Sequence, residues 1–164
     1  MTIEIDVARV SSLWAALPGV EALVERAIRA AAIAGGATLR EGAEVGVRLV
    51  DDEEIRALNL RWRGLDEPTN VLAFPAAASS KLAEVPLLGD ILIAYETARR
   101  EAAEQDLVFG DHVAHLIVHG FLHLVGFDHQ DAEEAQRMER REIRILAEIG
   151  VANPYVGTVP ADEV

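Results

Sequence analysis

HLIVHGFLHLVGFDH, residues 115–129, is the stretch from which the rest of this 164-residue chain is read. His119 and His123 stand four apart. In a helix they share one face with Cβ atoms ~6 Å apart, so both imidazoles can reach one ion at ~2.0–2.1 Å. Gly126 can take a positive φ, end the helix and turn the chain back, which lets His129 swing under it as a third ligand. Three protein ligands leave a position for water, the catalytic rather than the structural arrangement. A lone histidine pair at this spacing is a common accident of helices. The added glycine and third histidine make a divalent metal site, with zinc first, the expectation here. Imidazole also suits nickel and copper, so the residues themselves leave the ion open.

The same spacing, H-x3-H-x2-G-x2-H, occurs in zinc peptidases that place a glutamate directly after the first histidine as general base. That position is Gly120 in this chain. Glycine cannot take a proton from water, so a peptidase mechanism of that type lacks its base. A metal would still lower the pKa of its water to ~7 and offset charge during attack on a phosphodiester.

Outward from this segment, the chain alternates between short strand patterns and amphipathic helices. Residues 2–7 and 44–50 alternate apolar and polar, and residues 70–74 and 89–94 read as two further strands. Helices are expected over 19–34, after a cap at Asp51 or Asp52, over 95–105, over 111–125 and over 131–148. Residues 76–87, with Ser79, Ser80, Lys81 and Pro86, read as a loop, and the chain frays from about Asn153. No repeat or linker divides residues 1–164, so one domain is expected.

There are no cysteines, which excludes disulfides and thiolate metal ligands and fits a reducing compartment. Glu4 and Asp6 near the start are unlike a signal peptide. The longest stretch without Asp, Glu, Lys or Arg, residues 112–127, falls short of the ~20 residues a spanning helix needs and carries four histidines. A soluble cytoplasmic protein with no membrane partner is expected. The net charge of −13 counts against a nucleic-acid partner in general. Locally the balance differs: Arg56, Arg61 and Arg63 stand in residues 56–63 without an acid.

HGFLHLVGFDH (119–129) resembles the signature of the bacterial YbeY family of metal-dependent endoribonucleases. LNLRWRGLDEPTNVLAFP (58–75) resembles the family's central segment, and LGDI (88–91) its next strand. The likeness in order and spacing runs from about residue 44 to 155. Phe127 stands where the family usually has Tyr, and Ala73 where it usually has Ser. The resemblance implies a zincin-like α+β domain with a small mixed four-stranded sheet packed by about five helices. It implies zinc on His119, His123 and His129, and cleavage of single-stranded RNA in 16S rRNA 3′-end maturation and ribosome quality control. The partners it implies are rRNA, the small ribosomal subunit and its assembly proteins, not DNA. Arg63 matches the family's functional arginine; a guanidinium can hold two phosphate oxygens at once.

Other residues stay open between function and structure. His115, one turn before His119, is either a donor supporting the site, a substrate contact or a bonded core histidine. His112 reads as packing. Asp128 either fixes an imidazole or satisfies turn amides. Thr69, Asn70 and Lys81 are open between substrate contact and ordinary turn or surface roles. Arg61 reads as solvated, and Trp62 and Phe74 read as core rather than base-stacking platforms. Arg137, Arg140, Arg141 and Arg144 with Glu139 and Glu142 read as a solvated, ion-paired helix face. Two competing functions remain: a metal hydrolase of another substrate, such as a peptide, and a ribosome-assembly factor whose metal mainly supports the fold.

Overall fold

A computed structural model describes residues 2–128 and 130–156. Four strands and five α-helices follow one another as β1 (Ile3–Arg9), α1 (Val20–Ala34), β2 (Ala43–Val50), α2 (Asp52–Arg63), β3 (Val71–Pro75), β4 (Leu87–Ala94), α3 (Tyr95–Glu104), α4 (Phe109–Leu124) and α5 (Ala132–Glu148). The strands form a mixed sheet in the order β1-β2-β4-β3. β1, β2 and β4 run parallel, and β3 pairs antiparallel to β4, which leaves β3 with a free edge. This is the expected α+β architecture.

The alternation in β2 explains how the sheet is covered. Val45, Val47 and Leu49 are buried on one face, while Glu44 and Arg48 are exposed on the other. The first face, with Ile91 and Ile93 of β4, packs under α1, α4 and α5, whose buried residues include Val24, Ile28, Ile117, Phe121, Met138 and Ile145. Each such side chain contributes roughly 1.5–3 kcal/mol by leaving water. The opposite face is covered only at one end. There Ile55 of α2 joins Val50, Leu72, Leu92 and Ala94 in a smaller core, with Leu58 and Phe74 against it.

Helix α2 starts where the sequence places a cap: the Asp51 carboxylate accepts from the Glu54 amide at 2.9 Å. Helix α4 begins at Phe109, two residues before its expected start, because Phe109 has a tertiary partner. Its ring stacks on Trp14 at 5.9 Å and meets Tyr95 edge-on at 5.4 Å. Trp14 belongs to a short 3-10 helix, Ser12–Ala16, that periodicity does not reveal, and donates to the Val50 carbonyl at 2.9 Å. The expected loop over 76–87 contains a 3-10 turn, Ser79–Lys81, and gives way to β4 at Leu87.

Two expectations are corrected. Of the tail expected to fray from about Asn153, residues 153–156 are described, and there the Tyr155 hydroxyl donates to Glu142 Oε2 at 2.7 Å. Residues 157–164 lie outside the described residues. Glu142 is not on the solvated face of α5 but is 1 % exposed. Trp62 is not core but 62 % exposed. Among the described residues no single helix is long and apolar enough to cross a membrane.

Candidate active site

One cleft of about 710 Å³ gathers most of the residues singled out above. Thr69, Asn70, Val71 and Ala73, along β3 and the loop before it, form one wall. His119, Gly120, His123 and Leu124 of α4 form another. Arg63 closes it from the last turn of α2, and Ser79, Phe127 and Asp128 close it from two loops.

The helix delivers its histidines as one stripe. His112, His115, His119 and His123 follow at intervals of three or four, with adjacent ring centroids 6.3, 6.4 and 4.6 Å apart. The last two rings turn toward each other, with their Nε2 atoms 3.1 Å apart. Two nitrogens bound tetrahedrally to one ion at ~2.0–2.1 Å would lie ~3.3 Å apart, so this pair fits a shared cation closely. Backbone packing allows the approach. A Cβ at Gly120 would come within 2.8 Å of Ile91 Cγ2, so only a glycine lets α4 press this close to β4. Gly126 takes φ +100° after the helix, as the turn requires. The third expected ligand, His129, lies outside the described residues.

The buried carboxylate of Glu142 organises this stripe, and the sequence reading misses it. His119 Nδ1 lies 2.9 Å and His115 Nε2 3.0 Å from Glu142 Oε1. Tyr155 donates to the other oxygen. Burial by itself would raise the pKa of Glu142, but the hydrogen bonds and charge of His115 and His119 outweigh it and hold the group down at about 2. An ionised carboxylate only accepts, so both imidazole nitrogens facing it are donors. In the neutral imidazole, the form that can bind a cation, His119 then keeps its acceptor lone pair on Nε2, the atom that faces His123. Such a carboxylate–histidine pair is the usual device for fixing a ligand's tautomer and ring orientation. His115 thereby turns its Nε2 to Glu142 and Tyr155, 3.1 Å from the phenol oxygen, as a supporting donor. Burial, and then the charge of Glu142, raise the Tyr155 pKa, so the phenol remains a donor.

A signal for Glu142 was present. Met138, Glu142, Ile145 and Leu146 stand at helical intervals on the buried stripe of α5. An acid on such a stripe requires buried partners. Asn59 is a second case, lying with Ile55 on the buried side of α2. Its Nδ2 donates to the Glu67 carbonyl at 2.9 Å and ties the loop after Arg63 back to the helix.

Beside the cleft, Asn70 donates to Glu101 at 3.0 Å, and His112 Nε2 lies 3.0 Å from the same carboxylate. Burial would raise the pKa of Glu101, but these two hydrogen bonds hold it below the usual carboxylate range. Asn70 is therefore oriented by a half-buried partner as well as lining the cleft. Lys81 does not line it and pairs with Glu84 at 3.8 Å. Arg56 is spent on Asp66 at 2.8 Å. No carboxylate among the described residues pairs with Arg63, so its charge is available to the cleft.

The arrangement puts a guanidinium and a closely spaced imidazole pair on the walls of one cleft. Comparison with known proteins agrees with the architecture. The family described as Endoribonuclease YbeY matches residues 15–150. An endoribonuclease YbeY of Rhodopseudomonas palustris (strain BisA53) is 50% identical over 163 residues, covering 96% of this chain and 93% of that protein. One from Azorhizobium caulinodans is 46% identical over 159 residues, covering 97% and 99%. The solution structure of TM1509 from Thermotoga maritima superposes with a TM-score of 0.60 at 26% identity, covering 90% of this chain and 89% of that one. By sequence over nearly its whole length and by fold, the chain belongs to the YbeY endoribonuclease family.

Proposed function

We propose that the cleft is the active centre of a metal-dependent endoribonuclease that cuts single-stranded RNA. In this reading zinc is held by His119, His123 and His129, and the substrate is the 3′ end of 16S rRNA on the small ribosomal subunit, in the cytoplasm. The observation that carries it is the placement of Arg63 and the Nε2-to-Nε2 histidine pair on walls of one cleft. A phosphodiester needs both: a cationic fork for its non-bridging oxygens and a site that activates the attacking oxygen.

When bound, the metal supplies charge stabilisation and makes water a better nucleophile near neutral pH. The chain's own residues do the rest. Glu142 holds His119 with its Nδ1 protonated and its Nε2 presented to the cleft. Arg63 orients the phosphate and offsets the charge that grows on it. Asn70, held by Glu101, offers the cleft a fixed amide group. The attacking oxygen is that of water or of the substrate's own 2′-hydroxyl, and the product ends, linear or cyclic phosphate, distinguish the two. A peptidase reading is disfavoured further by the packing at Gly120, where the catalytic glutamate of that mechanism would collide with Ile91.

Zinc-loaded protein is expected to cut an unstructured oligoribonucleotide and to leave casein intact. His119→Ala or His123→Ala should abolish cutting and lower the zinc content found by elemental analysis. Arg63→Glu should lower kcat/KM by roughly a hundredfold while zinc content stays unchanged. Undiminished cutting by protein stripped of both zinc and these imidazoles would place the chemistry elsewhere.

A further inference from the structure

Trp62 is an unusual residue to leave in water. It lies on the last turn of α2, directly before Arg63, and 62 % of it is exposed. Its ring is not loose. Phe74 of β3 supports it edge-on at 6.3 Å, and Phe74 itself packs against the smaller core. The Arg61 guanidinium lies over the ring, 5.2 Å from its centroid. No carboxylate among the described residues pairs with Arg61 or Arg63, although the chain as a whole carries a net charge of −13. The aromatic plane is therefore anchored by Phe74, carries the Arg61 guanidinium over its ring, and directly precedes Arg63, which lines the cleft.

We propose that Trp62 is a stacking platform for one nucleobase of a single-stranded RNA, next to the nucleotide whose phosphate Arg63 holds. The ligand's identity rests on the ribonuclease reading above. A base and an aromatic plane attract whatever the base, so the platform would favour unpaired strands without selecting a sequence. A duplex buries its base faces in its own stack and cannot use it. The planar guanidinium marks the surface that a base would cover, and on displacement Arg61 can turn to the neighbouring phosphate. Leu60 and Leu65 are also exposed nearby. A protein partner docking on that apolar strip is the competing occupant, and it is less well served by the neighbouring guanidinium groups of Arg61 and Arg63, the second of which lines the cleft.

The chain's two tryptophans make the test direct. Trp14 is wholly buried, so a ligand-induced change in indole fluorescence reports Trp62. The probe is a single-stranded 2′-O-methyl oligoribonucleotide of about ten nucleotides, which binds without being cut, beside an abasic chain with the same number of phosphates. The oligoribonucleotide should quench the fluorescence and bind more tightly than the abasic chain. Trp62→Ala, checked by circular dichroism for an intact fold, should weaken its binding by roughly ten- to a hundredfold and raise KM for a cleavable strand far more than it lowers kcat. Trp62→Phe should recover most of the loss. Equal binding by Trp62→Ala, or equal quenching and affinity with the abasic chain, overturns the proposal. If wild type cuts RNA while Trp62→Ala cuts with the same KM, the platform falls and the ribonuclease reading stands. Base-dependent quenching by a wild-type protein that cuts no RNA has the opposite meaning.

Discussion

Replacing Glu142 with glutamine changes one oxygen for an amide nitrogen and removes one charge at the centre of the histidine stripe. Glu142 is 1 % exposed and takes hydrogen bonds from His115, His119 and Tyr155. Its pKa of about 2 against an ordinary 4.5 means that the folded protein favours the ionised form. At about 1.36 kcal/mol per pH unit, that preference amounts to about 3 kcal/mol. Because the folded-state pKa is depressed, this stabilisation is present above pH ~4.5 and is lost as the pH falls toward 2. Glu142→Gln should therefore lower the stability of metal-free protein at neutral pH by about 3 kcal/mol, or roughly 6–12 °C in Tm for a chain of this size. It should also flatten the acid limb of a stability–pH curve between pH ~4.5 and 2. The substitution loosens the tautomer control on His119, so zinc affinity should fall by roughly ten- to a hundredfold. Thermal melts followed by circular dichroism across that pH range, with a competitive zinc titration, measure all three. An acid limb identical to wild type, with unchanged zinc affinity, would refute the idea that this carboxylate holds the stripe in place.

Tyr155→Phe removes one of three donors to the same carboxylate and leaves the ring. It should cost about 1–2 kcal/mol in a denaturant melt, less than Glu142→Gln, because both histidine contacts survive. Gly120→Glu, which would restore the peptidase-like residue, should prevent stable folding rather than create a peptidase. A Cβ alone already meets Ile91 at 2.8 Å, and a carboxylate would be buried there besides; soluble expression and a melting curve check this. Asp51→Ala should cost roughly 0.5–2 kcal/mol through loss of the α2 cap, read in the same melts, without changing zinc content.

Much of the molecule was legible in the chain because its signals are local. The helix over 19–34 and the strand over 44–50 are periodic, and the α2 cap at Asp51 is set within one turn. The four-residue step from His119 to His123 dictates that both rings face one way, whatever surrounds the helix. That regularity, with Gly126 and the central segment, was enough to place the family. The 3-10 turn at Ser12–Ala16 and the early start of α4 were not legible, since Trp14 and Phe109 adopt those positions to reach each other across the fold.

What only the tertiary structure decided is which polar and aromatic side chains enter the interior. Glu142 sits in a run of alternating charges that looks solvated, yet α5 rests against α4 and carries that carboxylate to His115 and His119. Trp62 follows the apolar spacing of α2, yet the sheet ends beneath it, and its indole remains in water beside Arg61. Helical phase belongs to the sequence, because it depends on neighbours three and four residues away. Burial belongs to the assembled fold, because it depends on which distant element closes over that phase and where that element stops.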